Sequence, residues 1–127
     1  MGLLNIFSSK KSQKFHLVNL LLLANQDGYV DNKEIKYIVN VGIRLGLSDG
    51  EITNLMTNTD FEKISFTLPK TTKKRAEYLY DMVRLMMIDG QIHEKEMDYC
   101  KGFAIGMGLK EKVIDELVDL ILSLIHI

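Results

Sequence analysis

The sequence is poor in features that would fix a function by inspection. It carries a single cysteine, Cys100, so no internal disulfide can form, which suits a reducing compartment. Lys and Arg number 16 against 17 Asp and Glu, a balance that removes any whole-chain case for binding nucleic acid. No apolar run approaches the roughly 18 residues that a bilayer span requires. The opening, MGLLNIFSSKKSQK, places a short apolar run ahead of its lysines, the reverse of a secretory signal, and Ile6 breaks the myristoylation pattern. A cytoplasmic protein is expected. Residues 1–14 read as a tail suited to peripheral contact with an anionic membrane at its inner surface, or to packing on the domain. No nucleophile–base pair, phosphate-binding glycine loop or zinc spacing occurs, so the expected role is non-enzymatic, with no catalytic residue.

Only one proline, Pro69, interrupts the chain, and apolar residues recur at helical spacing almost throughout. Ile35, Ile38, Val39, Gly42 and Leu45 form one stripe. Ala76, Leu79, Tyr80, Val83, Met86 and Met87 form another, and Ile114, Leu117, Val118, Ile121 and Ile125 a third. No stretch keeps a period of two, so the fold class is all-α. Gly28, Gly46, Gly90 and Gly108 follow helical patterns and suit the left-handed residue that ends a helix. Ser48 with Glu51 reads as a capping box, and Thr71 or Thr72 as the cap of a helix reaching about Ile88. The linker between Thr57 and Lys70 leaves room for one helical turn around Asp60 to Ile64.

The chain is an internal repeat. Asp27 and Asp89 lie 62 residues apart, and the same shift carries Gly28 onto Gly90, Glu34 onto Glu96, Tyr37 onto Tyr99 and Gly46 onto Gly108. Residues 15–127 are therefore expected to form one compact bundle of about six to seven helices. It would be built from two pseudo-twofold-related three-helix repeats, residues 16–57 and 72–125.

NQDGYVDNKEI, Asn25 to Ile35, resembles the second half of an EF-hand loop, and MIDGQIHEKEM repeats it. The first half fails: Leu23 and Leu85 stand where the first ligands belong, so no working EF-hand is expected. Helix-turn chemistry explains most of the pattern. Asp31 is an N-cap with Glu34 completing a capping box, and Val30 with Ile35 makes a hydrophobic staple. The second copy keeps Glu96 and the staple Ile92 with Met97 but has the weaker cap His93. Asp27 and Asp89 fit less well, because each stands at a helix C-terminus where the macrodipole disfavours an anion. That placement, repeated, suggests a second task for the carboxylates.

Two copies of Asp-Gly-x-Ile/Val-x-x-x-Glu about sixty residues apart in a helical chain resemble the TerB-like (tellurite-resistance protein B) family. RAEYLYDMVRLMMIDGQIHEKEM is similar to its second motif and LLLANQDGYVDNKEIKYIVNVGIRLGLS to its first. The resemblance implies a helical bundle in bacteria, cytoplasmic or at the inner face of the membrane. It implies a part in resistance to tellurite or other toxic agents, through other proteins of a stress-response assembly. It also implies a divalent cation, calcium or magnesium by the oxygen ligands, held by Asp27, Glu34, Asp89 and Glu96, with Asp31 added by its place beside them. The counterpart of Asp31 is His93, where an acidic or polar residue is usual. The alternatives are a metal-dependent enzyme of unknown substrate and a membrane-surface adaptor using residues 1–14.

Three further features have plain expectations. Cys100 falls on an apolar stripe and should be a buried small hydrophobe rather than a nucleophile. Gly102 and Gly106, one turn apart, should permit a close helix contact. The run KTTKKR is expected to be a solvated face, with docking of an acidic partner as the alternative.

Overall fold

The computed structural model describes residues 9–57 and 66–125. Among them are six helices and no strand: α1 (Lys10–Ala24), α2 (Asn32–Arg44), α3 (Asp49–Thr57), α4 (Thr72–Met86), α5 (Glu94–Gly106) and α6 (Lys112–Ile125). The expected all-α class holds. The expected turn around Asp60 to Ile64 and the apolar opening lie outside the described residues.

Local chemistry sets the boundaries. Ser9 caps α1 by accepting the Ser12 N–H, so that helix begins at Lys10, inside the stretch expected to be tail. Lys10 and Lys14 then reach Glu51 at the start of α3, at 3.1 and 3.7 Å. Glu51 also accepts the Ser48 N–H while Ser48 Oγ accepts the Glu51 N–H, completing the expected capping box. The Ser48 N–H, and after it Lys10, hold the Glu51 carboxyl down at about 2. Thr71 Oγ1 accepts the Lys74 N–H at the start of α4. The helix ends match in pairs. Gly46 and Gly108 have φ of 90° and 83°. The Leu47 N–H returns to the Gly42 carbonyl and the Leu109 N–H to the Ala104 carbonyl, the closure of a Schellman motif.

The C-terminal halves of α1 and α4 bury most of their residues, which marks these helices as central. Leu17, Leu20 and Leu23 of α1 and Met82, Val83 and Leu85 of α4 are fully buried. Helix α1 packs on α2, α3, α4 and α5, and α4 packs on α1, α2, α5 and α6. A polar seam fixes the register of the central pair. Tyr78 donates to Ser12 at 3.3 Å, His16 meets Asp81 at 2.8 Å, and the Asn19 amide donates to Met82 Sδ at 3.4 Å. The His16 ring stacks on Tyr78 with centroids 3.8 Å apart.

The expected close contact at Gly102 and Gly106 is absent: a Cβ at either would meet nothing within 4 Å, because both glycines face outward on α5. The close approach is at Gly42 instead, where a Cβ would stand 3.0 Å from two side-chain carbons of Ile52 on α3.

Candidate functional site

The two Asp-Gly turns are built alike. After α1, the Gly28 N–H returns to the Asn25 carbonyl, and after α4 the Gly90 N–H returns to the Met87 carbonyl. Both glycines have positive φ, 90° and 82°, as a left-handed turn residue requires. Asp27 Oδ1 accepts the Tyr29 N–H at 3.2 Å, and Asp89 Oδ1 accepts the Gln91 N–H at 3.0 Å. Each aspartate thus closes an Asx turn over its glycine. This gives the pair a structural task that the dipole argument overlooked.

Beyond the glycine the two copies diverge. Asp31 accepts the Glu34 N–H at 2.9 Å, and Glu34 accepts the Asp31 N–H at 3.1 Å, the full capping box. His93 provides no side-chain cap for α5; its Nε2 turns back to Asp89 Oδ2 at 3.2 Å. Burial works against the Asp89 charge, but the Gln91 N–H and the His93 ring outweigh it and hold the carboxyl below its usual range. The Asp89 contact in turn raises His93. Glu96, without a reciprocal cap, makes no hydrogen bond or ion pair among the described residues, yet it is only 2% exposed. Its counterpart Glu34 is 8% exposed.

The turns also act on one another. Burial raises the Glu34 carboxyl, the Asp31 N–H opposes that rise, and the charges of Asp31, Asp27 and the other turn's Asp89 add to it. Burial pushes Glu96 up to about 7, with Glu34 the next contributor and Asp27 and Asp89 behind it. Asp27 and Asp89 are exposed at the turns, and their charges bear on the buried Glu34 and Glu96. The repeat therefore brings Asp27, Glu34, Asp89 and Glu96 into one electrostatic neighbourhood. Asp31 stands in the same neighbourhood, with its Oδ1 also accepting the Glu34 N–H.

The chemistry of this donor set fits a hard divalent cation, since every candidate ligand is a carboxylate. The arrangement fits less well. Among the described residues, no three His, Cys, Asp or Glu side chains are gathered to hold an ion as they stand. Leu23 and Leu85, at the failed EF-hand positions, lie fully buried in α1 and α4.

Sequence reasoning missed the polar cluster around the buried Asp81. Asp81, 2% exposed, joins His16 to Arg44, and the Tyr37 hydroxyl donates to its carbonyl at 3.0 Å. Burial, working against Asp81, holds His16 below its usual value, so its ring is neutral. With Nε2–H donating to Asp81, Nδ1 is left as a bare acceptor, the one side-chain polar atom wholly sealed from solvent without a partner among the described residues. The available signal was polar residues inside apolar patterns, His16 in FHLVNLLLLA and Asp81 in YLYDMVRLMM. Cys100, as expected, is fully buried, and burial pushes its thiol up to about 12. No helix among the described residues is long and apolar enough to cross a membrane.

No protein-family model, curated protein or solved structure matches this chain.

Proposed function

We propose that this chain is a non-enzymatic, TerB-like helical module of a bacterial stress response to tellurite or other toxic agents. It binds a divalent cation weakly between its two Asp-Gly turns and acts by holding another protein. The observation that carries the cation reading is that the Glu34 charge bears on the buried Glu96. They come from corresponding points of two repeats, both are buried, and the Glu96 carboxylate has no protein partner. A buried carboxylate without a partner costs free energy, and a cation between the turns would relieve it.

A pseudo-twofold relation supports the shared site. Exchanging α1, α2 and α3 with α4, α5 and α6 maps the principal helix contacts onto themselves: α1 with α5 becomes α4 with α2, and α1 with α3 becomes α4 with α6. Glu34 and Glu96 would be the innermost ligands and Asp27 and Asp89 the outer ones, with water completing the shell. Because Asp27 and Asp89 already close their own turns, the affinity falls at the weak end of protein calcium sites, a Kd of about 10⁻⁴–10⁻³ M.

Calorimetric titration with calcium and magnesium tests this. Heat of binding in the native chain, lost when Asp27→Asn and Asp89→Asn are combined, supports the cation site. A silent titration at millimolar metal with the fold intact reduces the turns to helix connections.

A further inference from the structure

The basic surface on the other side of α2 has no place in the cation site. Two cavities of about 1100 and 520 Å³ flank α4 and share Arg44, Tyr80 and Asp81, so they form one trough. Its walls are stripes of two helices. Lys33, Lys36 and Arg44 line it from α2, and Lys73, Lys74 and Arg84 from α4. Two carboxylates answer these six cations, and both are engaged. Glu77 pairs with Lys74 at 3.2 Å, and Asp81 is turned inward to His16 and Arg44. Lys33, Lys36, Lys73 and Arg84 have no carboxylate partner among the described residues.

Two further points indicate an anion from outside. Lys33 stands in the first turn of α2 and Lys73 in the first turn of α4, where the macrodipole disfavours a cation. Asp31 and Glu34 flank Lys33, but the first turn of α4 holds no acidic residue to offset Lys73. The trough floor is apolar, with Val41 and Ile88 at one end and Leu117 at the other.

We infer that this trough docks an acidic amphipathic helix of a partner protein. Lys33 to Arg44 and Lys73 to Arg84 each span about 16 Å of helix axis at ~1.5 Å per residue. Charges spread over that length match carboxylates placed turn by turn on a helix of about 12 residues, while its apolar face meets Val41, Ile88 and Leu117. One phosphate group is too short to engage both ends.

The inference rests on the reading that the chain works by holding another protein. The test is amide NMR on the labelled full chain with a synthetic peptide of about 16 residues repeating Glu-Glu-Leu-Ala, long enough as a helix to fill the trough. Shifts should centre on α2 and α4. Binding should weaken at least tenfold in Lys33→Glu with Arg84→Glu, and also in about 1 M salt, where charges are screened beyond roughly 3 Å. A peptide with Gln for every Glu should not bind. Several results would overturn the trough: no shifts, shifts centred on the exposed leucines of α6, equal binding by the Gln peptide or the reversed-charge chain, or tighter binding of inorganic pyrophosphate at the same amides. Calcium binding without peptide binding would leave the cation site and remove the trough. Peptide binding with silent calcium titration would do the reverse.

Discussion

Replacing Glu96 with Gln should stabilise this fold above neutral pH and leave it unchanged in mild acid. The folded chain holds the Glu96 proton up to about 7, whereas the free carboxyl releases it near 4.5. Between those values the folded state binds more protons than the unfolded one, so stability falls as pH rises through the window. At ~1.4 kcal/mol per pH unit, the interval amounts to about 3 kcal/mol. Glu96 stands close to the surface turns, and solvent screening reduces the expected effect to about 1–2 kcal/mol. An amide of the same shape carries no such penalty. Urea unfolding of both chains at about pH 4.5 and pH 8 measures it, with Glu96→Gln ahead at the higher pH only. His16 works in the opposite sense. Its folded value lies below 6.5, so its contribution is present above 6.5 and lost as pH falls below it. The difference between the two chains isolates Glu96, because His16 is common to both. A Gln variant that is no more stable at pH 8, or equally favoured at both pH values, would refute the idea that Glu96 is buried without a partner.

Further outcomes follow from the packing. Gly42→Ala should cost about 1–3 kcal/mol in thermal or urea unfolding, because the new methyl would stand 3.0 Å from Ile52 carbons. The same change at Gly102 should be neutral or slightly stabilising, since the space there is open. Asp81→Ala should cost about 2–4 kcal/mol, because it strands the buried His16 Nε2–H and empties a packed position, and Arg44→Ala should cost less, since Arg44 has water to turn to. Cys100 should resist thiol reagents in the native chain and react at the rate of global unfolding, given its burial and its raised thiol.

The helix boundaries were legible because caps are local. Ser48 with Glu51, Asp31 with Glu34, Thr71 and the turn glycines all act within a few residues, and each behaves as its spacing predicts. The weakness of His93 as a cap was legible for the same reason, but its consequence for Glu96 was not. That consequence depends on how α5 seats its first turn against the other copy. The Asx turns at Asp27 and Asp89 are equally local and were obscured by weighing the helix dipole alone. Gly42 and the Gly102–Gly106 pair show the opposite limit. All are glycines in helices, and only the packing of α3 on α2 decides which one needs to lack a side chain. The His16–Asp81 pair joins residues 65 apart, and no periodicity connects them.

The most direct measurement of the central claim is the titration of the Glu96 side-chain carboxyl, followed by carbon NMR with and without calcium. Without the ion the midpoint should lie near 7. With calcium at about 10 mM, well above the expected Kd, it should fall by at least about one pH unit, because a bound cation favours the ionised carboxylate. The fall should vanish when Asp27→Asn and Asp89→Asn are combined. A midpoint that stays near 7 at that calcium concentration, in a folded chain, would contradict a cation site between the turns.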